Sequence, residues 1–260
     1  MSAARKVAIV TGASSGLGRE FALQIDRGEA LDELWVIARR KERLSELRAL
    51  CKTPVRPLPM DLVAEGSLDA LSELLERERP SVRLLVCAAG FGKIGSYADV
   101  RREEAARMIE LNCRAAVETT LRALPYMERG ARILEISSTS AFQPFQQLSV
   151  YAASKAFLLR YSRALRWELF PRGVHVTAVC PYWIKDTEFI PEAQRTKAPG
   201  AVRSFPFASR AETVARRALR DSAHNFAVST PGPVCTLHRL IAKVIPSGLL
   251  QLGWEGLRRI

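Results

Sequence analysis

Tyr151 and Lys155 stand four residues apart in the stretch YAASK, so on a helix a phenol and an ammonium share one face. One reading makes them a proton-transfer pair; the other makes Tyr151 an aromatic core residue and Lys155 a solvated cation. A free tyrosine, with a pKa of about 10, is a poor acid/base at neutral pH, and a neighbouring cation lowers such a value by about 1 to 3 units. Ser138, thirteen residues before Tyr151 in ISSTSA, has a hydroxyl able to donate to an oxygen on which negative charge builds. A third group lies near the N-terminus. In TGASSGLG, Gly12, Gly16 and Gly18 are spaced G-x-x-x-G-x-G, with Ser14, Ser15 and Leu17 between them. The stretch follows an apolar run and opens a helical segment. There, small residues let the backbone approach a pyrophosphate, and the helix start presents free N–H groups to it.

The elements that must position these residues alternate along the chain. The short apolar runs KVAIVT, ELWVIA, VRPLPM, LLVCAA, RILEIS, VHVTAV and FAVST are predicted strands. Several are almost continuously apolar, as strands covered on both faces are. Segments of helical period separate them: 18–28, 41–50, 67–78, 102–124, 149–169 and 210–223. Successive βα units of this kind predict an α/β fold with a doubly wound parallel sheet of about seven strands and helices on both faces. Residues 1–230 are read as one domain. Residues 231–260 are read as an amphipathic helical extension packed on it, with Leu237, Leu240, Ile241, Val244 and Ile245 at helical spacing before Pro246. A second short helix carries Leu249, Leu250, Leu252, Trp254 and Leu257. This extension is open to three sharper roles: a lid, a dimer contact or a membrane-surface patch.

The end of the second predicted strand reads WVIARRKERL. A carboxylate at that place accepts from a ribose 2'-hydroxyl, whereas arginine attracts a 2'-phosphate. Ala38 stands where the acid would be, followed by Arg39 and Arg40, which predicts NADP(H) with Arg39 as the first choice of phosphate ligand. Asp61 in PMDL is placed to meet the adenine end of a dinucleotide or, equally, to cap the next helix.

Together TGASSGLG, CAAG after the fourth strand, Asn112, ISSTSA and YAASK resemble the short-chain dehydrogenase/reductase (SDR) family over about residues 5 to 190. The resemblance implies a Rossmann-type fold and a hydride exchanged between nicotinamide and a ketone or secondary alcohol. It implies Tyr151 as acid/base, Lys155 also holding the nicotinamide ribose, Ser138 rather than Ser137 as the catalytic serine, and Asn112 holding a water in a proton relay. Leu62, Ala89, Gly90, Pro181 and Thr187 are placed with the cofactor, Thr187 at its carboxamide. Two departures stand out. Cys87 replaces an asparagine that braces the sheet, and Tyr182 replaces the glycine after Pro181, with one extra residue before Thr187. Tyr182 and Trp183, with Gln143 and Phe145 from the loop after Ser138, are expected to line an apolar substrate pocket.

This reading makes the chain a carbonyl reductase or hydroxysteroid-type dehydrogenase. A 3-oxoacyl carrier-protein reductase and a non-catalytic NADP sensor are the alternatives. The family implies a homodimer or homotetramer. In the 260 residues, 48% are hydrophobic and 25% charged, which argues against long disordered regions. Five scattered cysteines without CxxC and three scattered histidines suggest neither disulfides nor a metal site. The apolar run near Met1 is too short for a signal peptide and no segment has the roughly 18 uninterrupted apolar residues of a span, so the expectation is cytoplasmic. The net charge is +12, but the arginines form no K/R-only run and lack interleaved aromatics, which argues against nucleic acid.

Overall fold

A computed structural model describes residues 4–198 and 200–259; Met1–Ala3, Pro199 and Ile260, the last residue of the expected extension, lie outside the described residues. The strands are β1 (Lys6–Thr11), β2 (Glu33–Ala38), β3 (Val55–Pro59), β4 (Ser81–Cys87), β5 (Arg132–Ile136), β6 (His175–Val179) and β7 (Val228–Ser229). They form one parallel sheet of seven strands in the spatial order 3-2-1-4-5-6-7. The order reverses between β1 and β4, and the crevice beyond the carboxyl ends of the strands at such a reversal is where this architecture binds ligands.

Helices α1 (Gly16–Gly28), α2 (Lys41–Leu50), α3 (Ser67–Glu78), α4 (Arg102–Ile109), α5 (Ala115–Ala123), α6 (Ser149–Glu168), α7 (Phe189–Ala193), α8 (Ala211–Ala223), α9 (Pro233–Val244) and α10 (Ser247–Leu257) connect and cover the strands. The two-residue period of β1 divides its side chains between layers. Val7 and Ile9 pack with Leu71 and Leu75 of α3, Ala116 of α5 and Leu158 of α6. Ala8 and Val10 pack with Phe21 of α1, Leu44 of α2 and Ala215 of α8. All four are fully buried, which explains why the strand reads as an unbroken apolar run.

Four local differences from the sequence expectation have physical causes. The segment 102–124 is two helices joined by a π turn, Glu110–Arg114, because the Asn112 amide is held by the main chain of Phe91. Ala88 and Ala89 leave β4 early, since the Ala89 N–H is taken by Thr11 Oγ1 at 3.0 Å. β7 keeps two residues of FAVST, because the Phe226 N–H donates to Asp221 O of α8 at 2.9 Å. The stretch after Thr187, expected as loop, closes one helical turn as α7.

α9 ends before Pro246, as proline requires, and α10 follows at once. His238 Nε2 and Gln143 Oε1 lie 2.8 Å apart, and Trp254 Nε1 donates to Gln146 O at 3.0 Å. Arg258 Nη1 donates to Ala201 O at 3.1 Å. Among the described residues no helix is long and apolar enough to cross a membrane.

Candidate active site

Gly12 adopts a left-handed φ of 70°, and a Cβ there would lie 2.8 Å from both Ala88 O and Ala89 N. A side chain at Gly18 would strike the Gly12 carbonyl. Only glycine at both places lets β1 turn directly into α1 against the end of β4. The first helical N–H groups therefore face the crevice, where they can receive an anion.

Beside this loop the structure holds Arg40 rather than Arg39. Arg40 Nη2 donates to Ser15 Oγ at 2.6 Å and to Ser14 Oγ at 3.2 Å. Arg40 Nη1 also meets Glu188 Oε2 at 2.9 Å, and Arg43 Nη1 meets Glu188 Oε1 at 2.5 Å. The two guanidiniums hold the Glu188 carboxyl below its ordinary value. Arg39 is exposed, though it lines the same cleft. Asp61 accepts from Val63 N at 3.3 Å and pairs with Arg107 at 2.7 Å, also at the cleft wall with the buried Leu62.

The carboxyl end of β5 and the first turns of α6 bring the second group together. Ser137 is engaged by the scaffold, its hydroxyl donating to Lys155 O at 2.7 Å. Ser138 caps a short turn, accepting from Ser140 N at 3.1 Å. Tyr151 packs at a tilt against Phe189 with ring centroids 5.4 Å apart. Lys155 is buried, donates from Nζ to Ile136 O at 2.7 Å, and sits 5.8 Å from the Tyr151 ring centroid. Asn112 turns its side chain to the chain that follows β4: Oδ1 accepts from Phe91 N at 3.0 Å, while Nδ2 donates to Phe91 O at 2.9 Å and Ser154 Oγ at 3.0 Å. A Cβ on Gly90 would lie 2.8 Å from Asn112 Oδ1, so Asn112, Gly90 and Lys155 are close neighbours.

Burial dominates the electrostatics. It pushes Tyr151 up to about 12, opposed by the Ser138 hydroxyl, and holds Lys155 down to about 8. The lowering of Tyr151 by Lys155 expected from their spacing does not set its value, because desolvation disfavours both charged forms. Beneath Lys155, the fully buried Glu135 is pushed up to about 7 by the same effect. Thr120 Oγ1 donates to Glu135 Oε1 at 2.7 Å and lies 3.5 Å from Cys87 Sγ. Where the missing asparagine would brace the sheet, Cys87, Thr120 and Glu135 link β4, α5 and β5.

A single cleft of about 1080 Å³ joins both groups, running from Arg43 and Arg40 past the glycine loop to Ser138, Tyr151 and Lys155, and on to Phe145, Trp183 and Trp254. Ala89, Gly90, Pro181, Tyr182 and Thr187 line it too. Thr187 Cβ lies 3.2 Å from where a Gly16 side chain would begin. Gln143 is not brought to the cleft. His238 and Leu250 O take its amide, at 2.8 and 3.5 Å, which corrects its expected place among the substrate contacts. Sequence reasoning missed Glu188 and the position of Trp254. An isolated acid between Thr187 and Phe189 carries no pattern, and Trp254 is 103 residues beyond Tyr151 in the chain.

Residues 6–198 match the family model described as short chain dehydrogenase. An uncharacterized oxidoreductase of Staphylococcus epidermidis is 28% identical over 178 residues, covering 68% of this chain and 76% of the relative. A short-chain dehydrogenase from Sphingobium yanoikuyae, solved in complex with NADPH, has TM-score 0.76 and 27% identity over 93% of this chain and 96% of its own. A bulky-bulky ketone specific alcohol dehydrogenase from Comamonas testosteroni has TM-score 0.71 and 25% identity, covering 92% and 94%. With its sheet order, its glycine loop and the Ser138–Tyr151–Lys155 group all at the carboxyl end of one sheet, this chain belongs to the short-chain dehydrogenase family of oxidoreductases.

Proposed function

We propose that the chain is an NADP(H)-dependent oxidoreductase acting between a bulky hydrophobic ketone and its secondary alcohol, with Tyr151 as acid/base. One observation carries this reading. The glycine loop braced by Arg40 and the Ser138–Tyr151–Lys155 group open on the same continuous cleft.

The residues present fit a dinucleotide. Gly12 and Gly18 leave the loop no room for side chains, so its N–H groups are free to take a pyrophosphate. Arg39, Arg40 and Arg43 gather positive charge at the far end, where Ala38 offers no carboxylate to repel a 2'-phosphate. Lys155 and Thr187, which line the same cleft, would hold the nicotinamide ribose and carboxamide. When bound, the nicotinamide supplies or takes up the hydride. The complex of the Sphingobium relative with NADPH supports the phosphate reading.

Ser138 donates to the substrate oxygen and stabilises its developing charge. Tyr151 gives its phenolic proton to that oxygen in reduction and takes it back in oxidation, with Lys155 one turn away to stabilise the phenolate. Burial adds to the phenol's ordinary preference for its protonated form at neutral pH, the form that donates in reduction. The walls beyond it are aromatic: Phe145, Trp183, Phe189 and Trp254. The bulky-bulky ketone specificity of the Comamonas relative supports an apolar, bulky substrate.

A panel of ketones assayed with NADPH and NADH tests the reading. Turnover with NADPH and bulky ketones is expected, and Tyr151→Phe is expected to lose about 10²- to 10⁴-fold in kcat with NADPH affinity retained. Full activity in Tyr151→Phe overturns the mechanism, and NADH binding as tight as NADPH overturns the cofactor assignment.

A further inference from the structure

We propose that the outer face of the α9–α10 pair is an interfacial anchor that lies on an anionic lipid surface. The inner face of the pair is fastened to the protein by the Gln143–His238, Gln146–Trp254 and Ala201–Arg258 contacts. Packing therefore accounts for Cys235, His238 and Trp254. It does not account for the exposed Leu237, Leu240 and Val244, which recur at helical spacing on α9, or for the exposed Leu249 and Leu252 on α10. Val244 is 84% exposed and Leu252 71%. Single exposed leucines are ordinary, but five exposed aliphatic side chains on two successive short helices are the mark of a contact surface.

Charge selects the occupant. Beyond Arg258, which is turned inward to Ala201 O and Glu255, the 231–260 segment carries Arg239, Lys243 and Arg259 against one acid, Glu255, which also pairs with Arg259, in a chain of net charge +12. Two copies would bring like charges together across this face, whereas an anionic surface attracts the arginines and lysine as well as receiving the leucines. α9 has 12 residues and α10 has 11, each about half the length needed to cross a bilayer. A pair of that length with polar and apolar faces lies in the plane of the interface. Self-association has another place available, since Ile109, Leu121 and Phe157 on α4, α5 and α6 are also exposed.

Co-sedimentation of the full chain with vesicles tests this without reference to catalysis. With vesicles of phosphatidylcholine and phosphatidylglycerol the protein is expected to sediment, at least about tenfold more strongly than with phosphatidylcholine alone, and to be released by added NaCl. Leu240→Glu combined with Leu252→Glu is expected to abolish sedimentation while elution volume and NADPH affinity stay unchanged. Absence of binding to the anionic vesicles overturns the proposal, as does binding that persists in the double variant. A double variant that dissociates a wild-type oligomer assigns the face to a second copy and overturns it too. If the double variant fails to fold, Val244→Cys carrying a polarity-sensitive dye gives a separate reading. Four native cysteines are buried, and replacing the partly exposed Cys51 by serine (Cys51→Ser) in the same variant confines labelling to position 244. A blue shift on anionic vesicles supports insertion, and unchanged emission overturns it.

Discussion

Glu135 shows how far one residue's environment departs from its type. Burial raises its carboxyl from an ordinary 4.5 to about 7. In the unfolded chain it ionises near the ordinary value. The stability associated with its neutral form is therefore complete below pH 4.5 and is lost as pH rises through about 7, a change of roughly 3 kcal/mol at most. Glu135→Gln is expected to unfold at higher urea than wild type at pH 8 and at similar urea at pH 5; an unchanged difference between the two pH values would assign the effect elsewhere. Nothing in RILEIS announces this carboxyl, because burial on both sheet faces is settled by distant helices. Tyr151, Lys155 and Ser138 were legible as candidates for the opposite reason: YAASK alone leaves the core-aromatic reading open, but its order and spacing with ISSTSA and the glycine loop resemble a family pattern. The sequence reading preferred Arg39 to Arg40, but it is Arg40 that bonds Ser14 and Ser15, which depends on how β2 delivers the chain to the loop.

At the scale of elements, the short α7 segment does more than the long helices foresaw. Glu188, just before it, bridges Arg40 and Arg43, the same cations proposed for a 2'-phosphate. A carboxylate there competes with that phosphate. Glu188→Gln is expected to tighten NADPH by about three- to tenfold, the scale of two exposed ion pairs, and to leave NADH unchanged; fluorescence titration of both cofactors reads this, and an unchanged or weaker NADPH affinity refutes it. The strands and most helices were legible because period and apolar runs record burial directly. The π turn at Asn112 was not, since one added residue per turn leaves the helical period of 102–124 nearly intact. α7 was missed because five residues with a proline inside carry no period at all.

For the whole molecule, alternation of apolar runs was enough to predict a parallel sheet of about seven strands, while the site's far wall was not legible because α10 returns to the cleft only in three dimensions. A ligand that binds only the folded chain raises its stability, by about 2.7 kcal/mol at 100 times its Kd. NADPH is expected to raise the melting temperature by several degrees, and more than NADH at equal concentration; equal shifts would argue against the arginine site. Thr187, Glu188 and Phe189 are consecutive, yet they touch the glycine loop at Gly16, the guanidiniums of Arg40 and Arg43, and the ring of Tyr151. Nucleotide settling against that shared segment would shape the wall that receives the ketone. Turnover should follow a compulsory order, nucleotide on first and off last, so that oxidised nucleotide competes with NADPH but not with the ketone.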